Sequence, residues 1–258
     1  MYIIIPMAGE SSRFFNAGYT VPKYMLPLGD ETVFDKSVKS FQKYFDNAFF
    51  IFVVKKDKYD TFEFVDDHAK LLGIKNFKIQ ILKRPTKGQA ETVYKAIMAN
   101  DLSSSYDDIV IFNIDTIRHN LVLPRTNFTT YFDAFYDDLP DPKFSFCELS
   151  KEFPESIIRT AEKKVISNWC STGLYIFSSA RIYLNAYEAA LEDELLNGNK
   201  YNYYIAPLYN YIIPKINGVP AEKSSNYLLQ CPLLDVEFCG VPDEYEALKI
   251  QYKTEQRD

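Results

Sequence analysis

Cysteine, histidine and tryptophan are scarce in this sequence: four, two and one residues in 258. Cys147, Cys170, Cys231 and Cys239 are scattered with no Cys-x-x-Cys pair, and neither His68 nor His119 lies near them in sequence. The spacing gives no support to a structural zinc site, and buried, reduced thiols are the expectation. Long apolar runs are missing too. The longest, residues 48–54, holds seven residues, against the roughly twenty that a membrane-spanning helix needs. No basic segment precedes the apolar start Tyr2-Ile3-Ile4-Ile5, so no secretory signal is expected and the cytoplasm is the expected compartment. Positive charge is also short. The net charge is −6, with no basic face or tail, which argues against a nucleic-acid partner. An acidic protein can still bind a triphosphate, because a divalent cation and a few placed lysines or arginines neutralise it locally.

What is present reads as alternating strands and helices. Residues 2–5 are a short apolar run closed by Pro6, which suits a buried strand. Phe34, Val38, Phe41 and Phe45 share one helical face, with Asp30 or Thr32 as the N-cap. Residues 48–54 predict a second strand, 59–72 a helix ending at Gly73, and 77–82 a third strand. A turn at 85–89, a helix over 90–100 and an apolar strand over 109–114 follow. This order predicts an α/β fold with a mostly parallel central sheet, flanking helices and right-handed crossovers.

The second half is less regular. The acidic, aromatic stretch from Asn127 to Pro142 reads as a loop or short helix, and the acid-rich part 133–141 as a solvated face. Strands are expected over 144–149, 174–177 and 235–239, and helices over 180–193, 203–213 and 243–253. Phe and Tyr number 20 each, but no aromatic cluster repeats at a functional spacing. With no internal repeat or linker, residues 1–258 read as one domain. A break near residue 117 divides it into residues 1–117 and 118–258.

The strongest chemical signal is Met7-Ala8-Gly9-Glu10-Ser11-Ser12-Arg13, followed by Pro22-Lys23. A buried strand entering a small-residue loop can aim consecutive backbone N–H groups at phosphate oxygens. Arg13 and Lys23 would add charge-assisted contacts. The competing reading is a strand–loop–helix turn with a solvated Arg and Lys. The loop has neither the Gly-Lys-Ser/Thr of a Walker loop nor dinucleotide-type glycine spacing. Asp115 ends an apolar strand at the carboxyl edge of a parallel sheet, where α/β folds bind ligands; a cap or turn Asp is the alternative.

These residues resemble the signature of the nucleotidyltransferase superfamily, whose pattern is Gly-x-Gly-x-Arg; Ser11 stands at its second glycine. A second-glycine position that needs positive φ would be costly for Ser. Further resemblances follow in chain order: Thr86-Lys87-Gly88-Gln89-Ala90-Glu91-Thr92, Asn113-Ile114-Asp115, Glu162-Lys163, Ser171-Thr172-Gly173-Leu174-Tyr175, Tyr201–Tyr204 with Asn202, and Gly240-Val241-Pro242-Asp243-Glu244.

The resemblance implies a Rossmann-like GT-A fold and a Mg²⁺-dependent enzyme without nucleic-acid or membrane partners; a homodimer is left open. It implies nucleotide binding by Met7, Ala8, Gly9, Glu10, Ser11, Ser12, Arg13, Lys23, Gly88, Gln89 and Thr92, and acceptor binding by Glu162, Lys163, Gly173 and Asn202. The implied catalytic residues are Arg13, Lys23, Asp115 and Lys163, with Mg²⁺ held by Asp115 and by Asp235 or Glu237. The superfamily places its second metal carboxylate two residues before the turn glycine, where this chain has Phe238; Asp235 and Glu237 share a strand face beside it. His119 reads most simply as an exposed loop residue. The compact capsule cytidylyltransferases of the superfamily suggest transfer of CMP from CTP to a phosphoglutamine-type acceptor. A sugar-1-phosphate acceptor stands close behind. Outside the class remain a GT-A glycosyltransferase, weakened because Asn113-Ile114-Asp115 lacks an Asp-x-Asp motif, and a non-catalytic nucleotide-binding module.

Overall fold

A computed structural model describes residues 1–124, 128–216 and 218–255; Asn127, the first residue of the expected acidic loop, lies outside them. In chain order the principal strands are β1 (Tyr2–Pro6), β2 (Phe49–Lys55), β3 (Asn76–Leu82), β4 (Ile109–Phe112), β5 (Thr116–Arg118) and β6 (Thr130–Tyr136). They continue with β7 (Ser145–Leu149), β8 (Ile157–Glu162), β9 (Trp169–Phe177), β10 (Asn226–Gln230) and β11 (Val236–Phe238). The helices are α1 (Ser12–Asn16), α2 (Val33–Lys39), α3 (Thr61–Leu71), α4 (Gln89–Ala99), α5 (Ala180–Asn197) and α6 (Pro242–Glu255). The expected α/β class holds. Contacts gather the chain into two compact units. One comprises Met1–Ile4, Thr86–Ile111 and Leu123–Leu233; the other comprises Ile5–Pro85, Phe112–Val122 and Leu234–Asp258.

In the first unit, β1 runs parallel to β4, with Tyr2, Ile3 and Ile4 opposite Ile109, Val110 and Ile111. Every residue of β4 is buried, as expected for a strand covered on both faces. β9 pairs antiparallel with β6 and β7, β7 antiparallel with β8, and β10 parallel with β6. Helix α5 starts at Ser179, whose side chain accepts from the N–H of Ile182, and ends at Gly198 with φ 70°. It packs on α4 through stacked Tyr94 and Tyr187 rings 4.8 Å apart and a 2.7 Å bond from the Tyr183 hydroxyl to the Ala90 carbonyl.

Two expectations for this unit fail. Residues 130–136 are a buried strand rather than a loop or short helix, and Asp133 is 1 % exposed rather than solvated. Its carboxyl group accepts from the Thr172 hydroxyl at 2.6 Å, so a buried, hydrogen-bonded acid sits where sequence alone suggests surface. Nor is 203–213 a full α-helix. Only Ala206–Tyr211 coils, as a 3₁₀ turn with proline at its start, and Tyr203 before it has φ 58°. Strands β8 and β10 were not expected at all.

In the second unit, β2 and β3 pair in parallel along seven residues, from Phe49 opposite Asn76 to Lys55 opposite Leu82. Helix α2 begins with a capping box: Thr32 caps the Asp35 N–H while Asp35 caps the Thr32 N–H. β11 pairs antiparallel with β5. Phe14, Leu26, Leu28, Val33, Ile117, Cys239 and Tyr245 form one buried cluster. It anchors α1 and α6 together, each large side chain contributing about 1.5–3 kcal/mol of burial. All four cysteines are buried free thiols. Among the described residues no helix is long and apolar enough to cross a membrane.

Candidate active site

β1 leads into the signature loop. The Met7 N–H donates to the Val53 carbonyl at 2.7 Å, and Met7 is buried. Gly9, Glu10, Ser12 and Arg13 are exposed and Ala8 is half-buried; Glu10 pairs with Lys55 at 2.6 Å. A Cβ on Gly9 would meet nothing within 4 Å, so packing does not demand glycine there. Ser11 has φ 51° and ψ 26°. It occupies the left-handed region that the superfamily pattern fills with glycine, and it adds a contact glycine lacks: its Oγ accepts from the Lys23 N–H at 3.3 Å.

Lys23 opens a short 3₁₀ turn after Pro22. Its ammonium donates to Asp115 Oδ2, each side chain being 22 % exposed. Asp115 lies in the turn between β4 and β5, and its carbonyl accepts from the Cys239 N–H at 2.7 Å. A Cβ on Gly240 would lie 3.2 Å from Asp115 Oδ2 and 3.4 Å from Glu244 Oε2. Glu244 accepts from the N–H groups of Gly240 and Val241 at 2.8 and 3.2 Å. Three separate segments thus meet at Asp115.

Asp235 and Glu237 are held by other partners. Asp235 accepts from Asn120 Nδ2 at 3.0 Å and faces Arg118 Nη1 at 4.0 Å. Glu237 takes His119 Nε2 at 3.2 Å, the Tyr252 hydroxyl at 2.7 Å and Gln251 Nε2 at 3.2 Å. The cause is register: β11 sets Glu237 opposite Ile117 and Phe238 opposite Thr116. Burial pushes Glu237 up, but its hydrogen bonds outweigh this and hold it below the usual carboxylate range. The Glu237 contact correspondingly raises His119, against burial. Among the described residues no group of three His, Cys, Asp or Glu is arranged to hold a metal.

In the first unit, Gly88 and Gln89 open α4, and the Thr92 hydroxyl donates to the Gly88 carbonyl at 3.1 Å. Gly88 is extended, with φ 172°, a conformation any residue adopts. Glycine is needed for space: a Cβ would fall 2.7 Å from Tyr203 Cβ and 2.8 Å from the Tyr203 carbonyl oxygen. At the end of β8, Glu162 accepts from the Ser145 hydroxyl, and burial holds its carboxyl above the usual range. Lys163 follows with φ 53°; its ammonium donates to the Tyr204 hydroxyl at 2.5 Å and lies 4.5 Å from that ring's centre. Gly173, φ 88°, interrupts β9 where the register with β6 shifts. Glu162 and the exposed Asn202 line one cavity of about 410 Å³ with Asn199 and Tyr201.

The nucleoside-diphosphate-sugar pyrophosphorylase from Vibrio cholerae RC9 is 41 % identical to this chain, with a TM-score of 0.85, covering 96 % of this chain and 100 % of that one. The chain belongs to the nucleotidyltransferase superfamily. Two more distant members share its fold. A putative glucose-1-phosphate thymidylyltransferase from Bacillus anthracis has 15 % identity and TM-score 0.70, covering 98 % of this chain and 95 % of that one. The inositol-1-phosphate CTP transferase from T. maritima has 15 % identity and TM-score 0.67, covering 98 % and 96 %. No family model and no curated protein matches the sequence. In this superfamily member, sequence reasoning named Lys23 and Asp115 from separate motifs but did not foresee their pairing. It passed over two residues, one beside Gly240 in the second unit and one beside Gly88 in the first. Glu244 was signalled only as part of the turn after Gly240, and Tyr203 only within the acceptor-side stretch Tyr201–Tyr204.

Proposed function

We propose that this nucleotidyltransferase transfers a nucleoside monophosphate, CMP from CTP by preference, to a phosphorylated small molecule in the cytoplasm and releases pyrophosphate. The observation that carries the reading is the Lys23–Asp115 pair beside Gly240, in the same unit as the signature loop. An acceptor phosphate oxygen attacks the α-phosphorus in line, the bond to the β-phosphate oxygen breaks, and pyrophosphate leaves with the electron pair. Arg13 and Lys23 neutralise the β- and γ-phosphates as charge gathers on the leaving group. The backbone of Gly9 to Ser12 orients the phosphates, Gly88, Gln89 and Thr92 hold the base, and Glu162, Asn202 and Gly173 orient the acceptor. Lys163 takes the acceptor phosphate.

Mg²⁺ fits this donor set as a one-carboxylate ion. Such sites use one or two carboxylates with substrate phosphates and water. Asp115, partly open and facing a glycine, meets that need; Asp235 and Glu237, the other expected ligands, are engaged by Asn120, Arg118, His119, Tyr252 and Gln251. Bound there, the ion would neutralise phosphate charge. A sugar-1-phosphate acceptor is the second reading, favoured by the likeness to the nucleoside-diphosphate-sugar pyrophosphorylase from Vibrio cholerae. A phosphoglutamine-type acceptor in capsule synthesis rests on the sequence resemblance. Pyrophosphate release from ATP, CTP, GTP and UTP with Mg²⁺, against sugar phosphates and phosphorylated amino acids, tests both. The proposed chemistry predicts release that requires one triphosphate and one acceptor together; no release from any combination refutes it.

A further inference from the structure

Residues 201–204 lie between α5 and the 3₁₀ turn that starts at Ala206, and two neighbours in this segment face different parts of the first unit. Tyr203 is 8 % exposed and left-handed, φ 58°, a conformation unfavourable for any residue with a Cβ and kept only where surroundings enforce it. Its carbonyl accepts from the Ala90 N–H at 2.8 Å. That satisfies one of the amides left open at the start of α4, a helix with no side-chain cap. Its Cβ and carbonyl occupy the space a side chain on Gly88 would need. Its hydroxyl accepts from Lys87 Nζ at 2.8 Å and donates to Glu194 at 3.3 Å, with Lys87 Nζ 4.9 Å from the ring centre. The Lys87 N–H is tied to Glu91 of α4 at 2.6 Å. The Gly88 turn is therefore gripped from its own helix and from Tyr203. One residue on, Tyr204 holds the Lys163 ammonium by hydroxyl and ring face. The Tyr201 hydroxyl donates to the Tyr204 carbonyl at 2.7 Å and closes the segment on itself.

We infer that residues 201–204 form a strap in which Tyr203 is a positioning residue for the Gly88–Gln89 turn and Tyr204 a positioning residue for Lys163. The assignment rests on the proposed function, in which that turn reads the base and Lys163 takes the acceptor phosphate. The two tyrosines then govern different substrates although they are adjacent in sequence.

Steady-state kinetics on the whole chain, varying each substrate separately, test this, with melting temperatures recorded for every variant. Tyr203→Phe keeps ring and backbone and removes the grip of Lys87 and Glu194. It is expected to raise the KM of the preferred triphosphate by about tenfold, the effect of losing a charge-assisted hydrogen bond. It should also narrow the preference over the other three triphosphates and leave the acceptor KM unchanged. Tyr204→Phe is expected to do the reverse, raising the acceptor KM by about tenfold with triphosphate selectivity intact. A merely structural strap would give both variants the same lowered melting temperature and the same uniform loss of kcat, and that result overturns the inference, as does an exchange of the two signatures. Should Tyr203→Phe fail to fold, Lys87→Met must reproduce its triphosphate signature or the inference fails. A wild-type chain that releases no pyrophosphate with any triphosphate overturns the proposed function and this assignment together. An active wild type with unchanged variants overturns the strap alone.

Discussion

Lys23 donates its ammonium to the carboxylate of Asp115 across 92 residues of sequence. The pair joins the end of the signature segment to the turn after β4, with Gly240 close against the same carboxylate oxygen. Both side chains stay partly open to solvent, so a phosphate can take the lysine and leave the carboxylate to other work.

Asp115→Asn is expected to abolish turnover while the protein stays folded. The amide keeps the shape and still accepts a hydrogen bond from Lys23, but it lacks the charge. For a partly exposed pair the stability cost is about 1 kcal/mol or less. Pyrophosphate release and thermal melting check the two halves. Turnover near wild type would remove Asp115 from the phosphate-handling group.

Ser11 sets two effects against each other. The left-handed backbone costs a residue with a Cβ roughly 1–2 kcal/mol, whereas the hydrogen bond from the Lys23 N–H returns about 0.5–1.5 kcal/mol. Ser11→Gly removes both, and glycine's extra unfolded-state freedom costs about 0.5–1 kcal/mol; stability should stay within about 1 kcal/mol of wild type. Ser11→Ala keeps the strain, loses the bond and should be the less stable of the two. Urea denaturation of the three proteins gives the order, and alanine ranking above glycine would contradict the left-handed assignment.

The His119–Glu237 pair gives a pH signature. His119 is raised in the folded protein, so its contribution is fully present below its unfolded value, about 6.5, and is lost as pH rises through the folded value. Glu237 is lowered, so its contribution is present above its unfolded value, about 4.3, and is lost as pH falls through the folded one. Between those limits both contributions stand. His119 is 41 % exposed, which keeps the effect below about 1 kcal/mol. His119→Gln should therefore lower the melting temperature more at about pH 6 than at about pH 8.5. A difference that stays flat with pH would mean the pair is not ionic.

Local pattern carried the first half of the fold. β1, β2 and β4 are apolar runs, α2 follows 3.6-residue spacing with Thr32 as a readable cap, and α3 ends just before the expected Gly73. β6 was lost because Asp133, a buried residue partnered by Thr172, looks like a surface charge. β8 and β10 mix polar and apolar residues, and no local signal marks them as strands. In the candidate site, Ser11, Lys23 and Asp115 were legible as motif members, and a positive φ at Ser11 could be suspected from the glycine it replaces. The Lys87–Tyr203 contact was not legible, because it is made by tertiary approach across 116 residues. The partners of Asp235 and Glu237 follow from the pairing of β11 with β5, which residue types alone do not state.

Lys23 and Lys163 should fail in different ways. Lys23 sits in the unit that carries the signature loop, bound to Asp115, and Lys163 sits in the other, bound to Tyr204. Each would make a charged hydrogen bond to a phosphate, so truncation costs about 1.5–3 kcal/mol, or roughly tenfold or more. Lys23→Ala is expected to weaken triphosphate binding or slow the departure of pyrophosphate, with acceptor affinity little changed. Lys163→Ala is expected to raise the acceptor KM and spare the triphosphate. If both lysines are only surface charges, both variants behave as wild type. The decisive measurement varies one substrate at a time at saturation of the other. A Lys163→Ala enzyme impaired only toward the triphosphate would assign Lys163 to the nucleotide, and the proposed split between nucleotide and acceptor residues would fall with it.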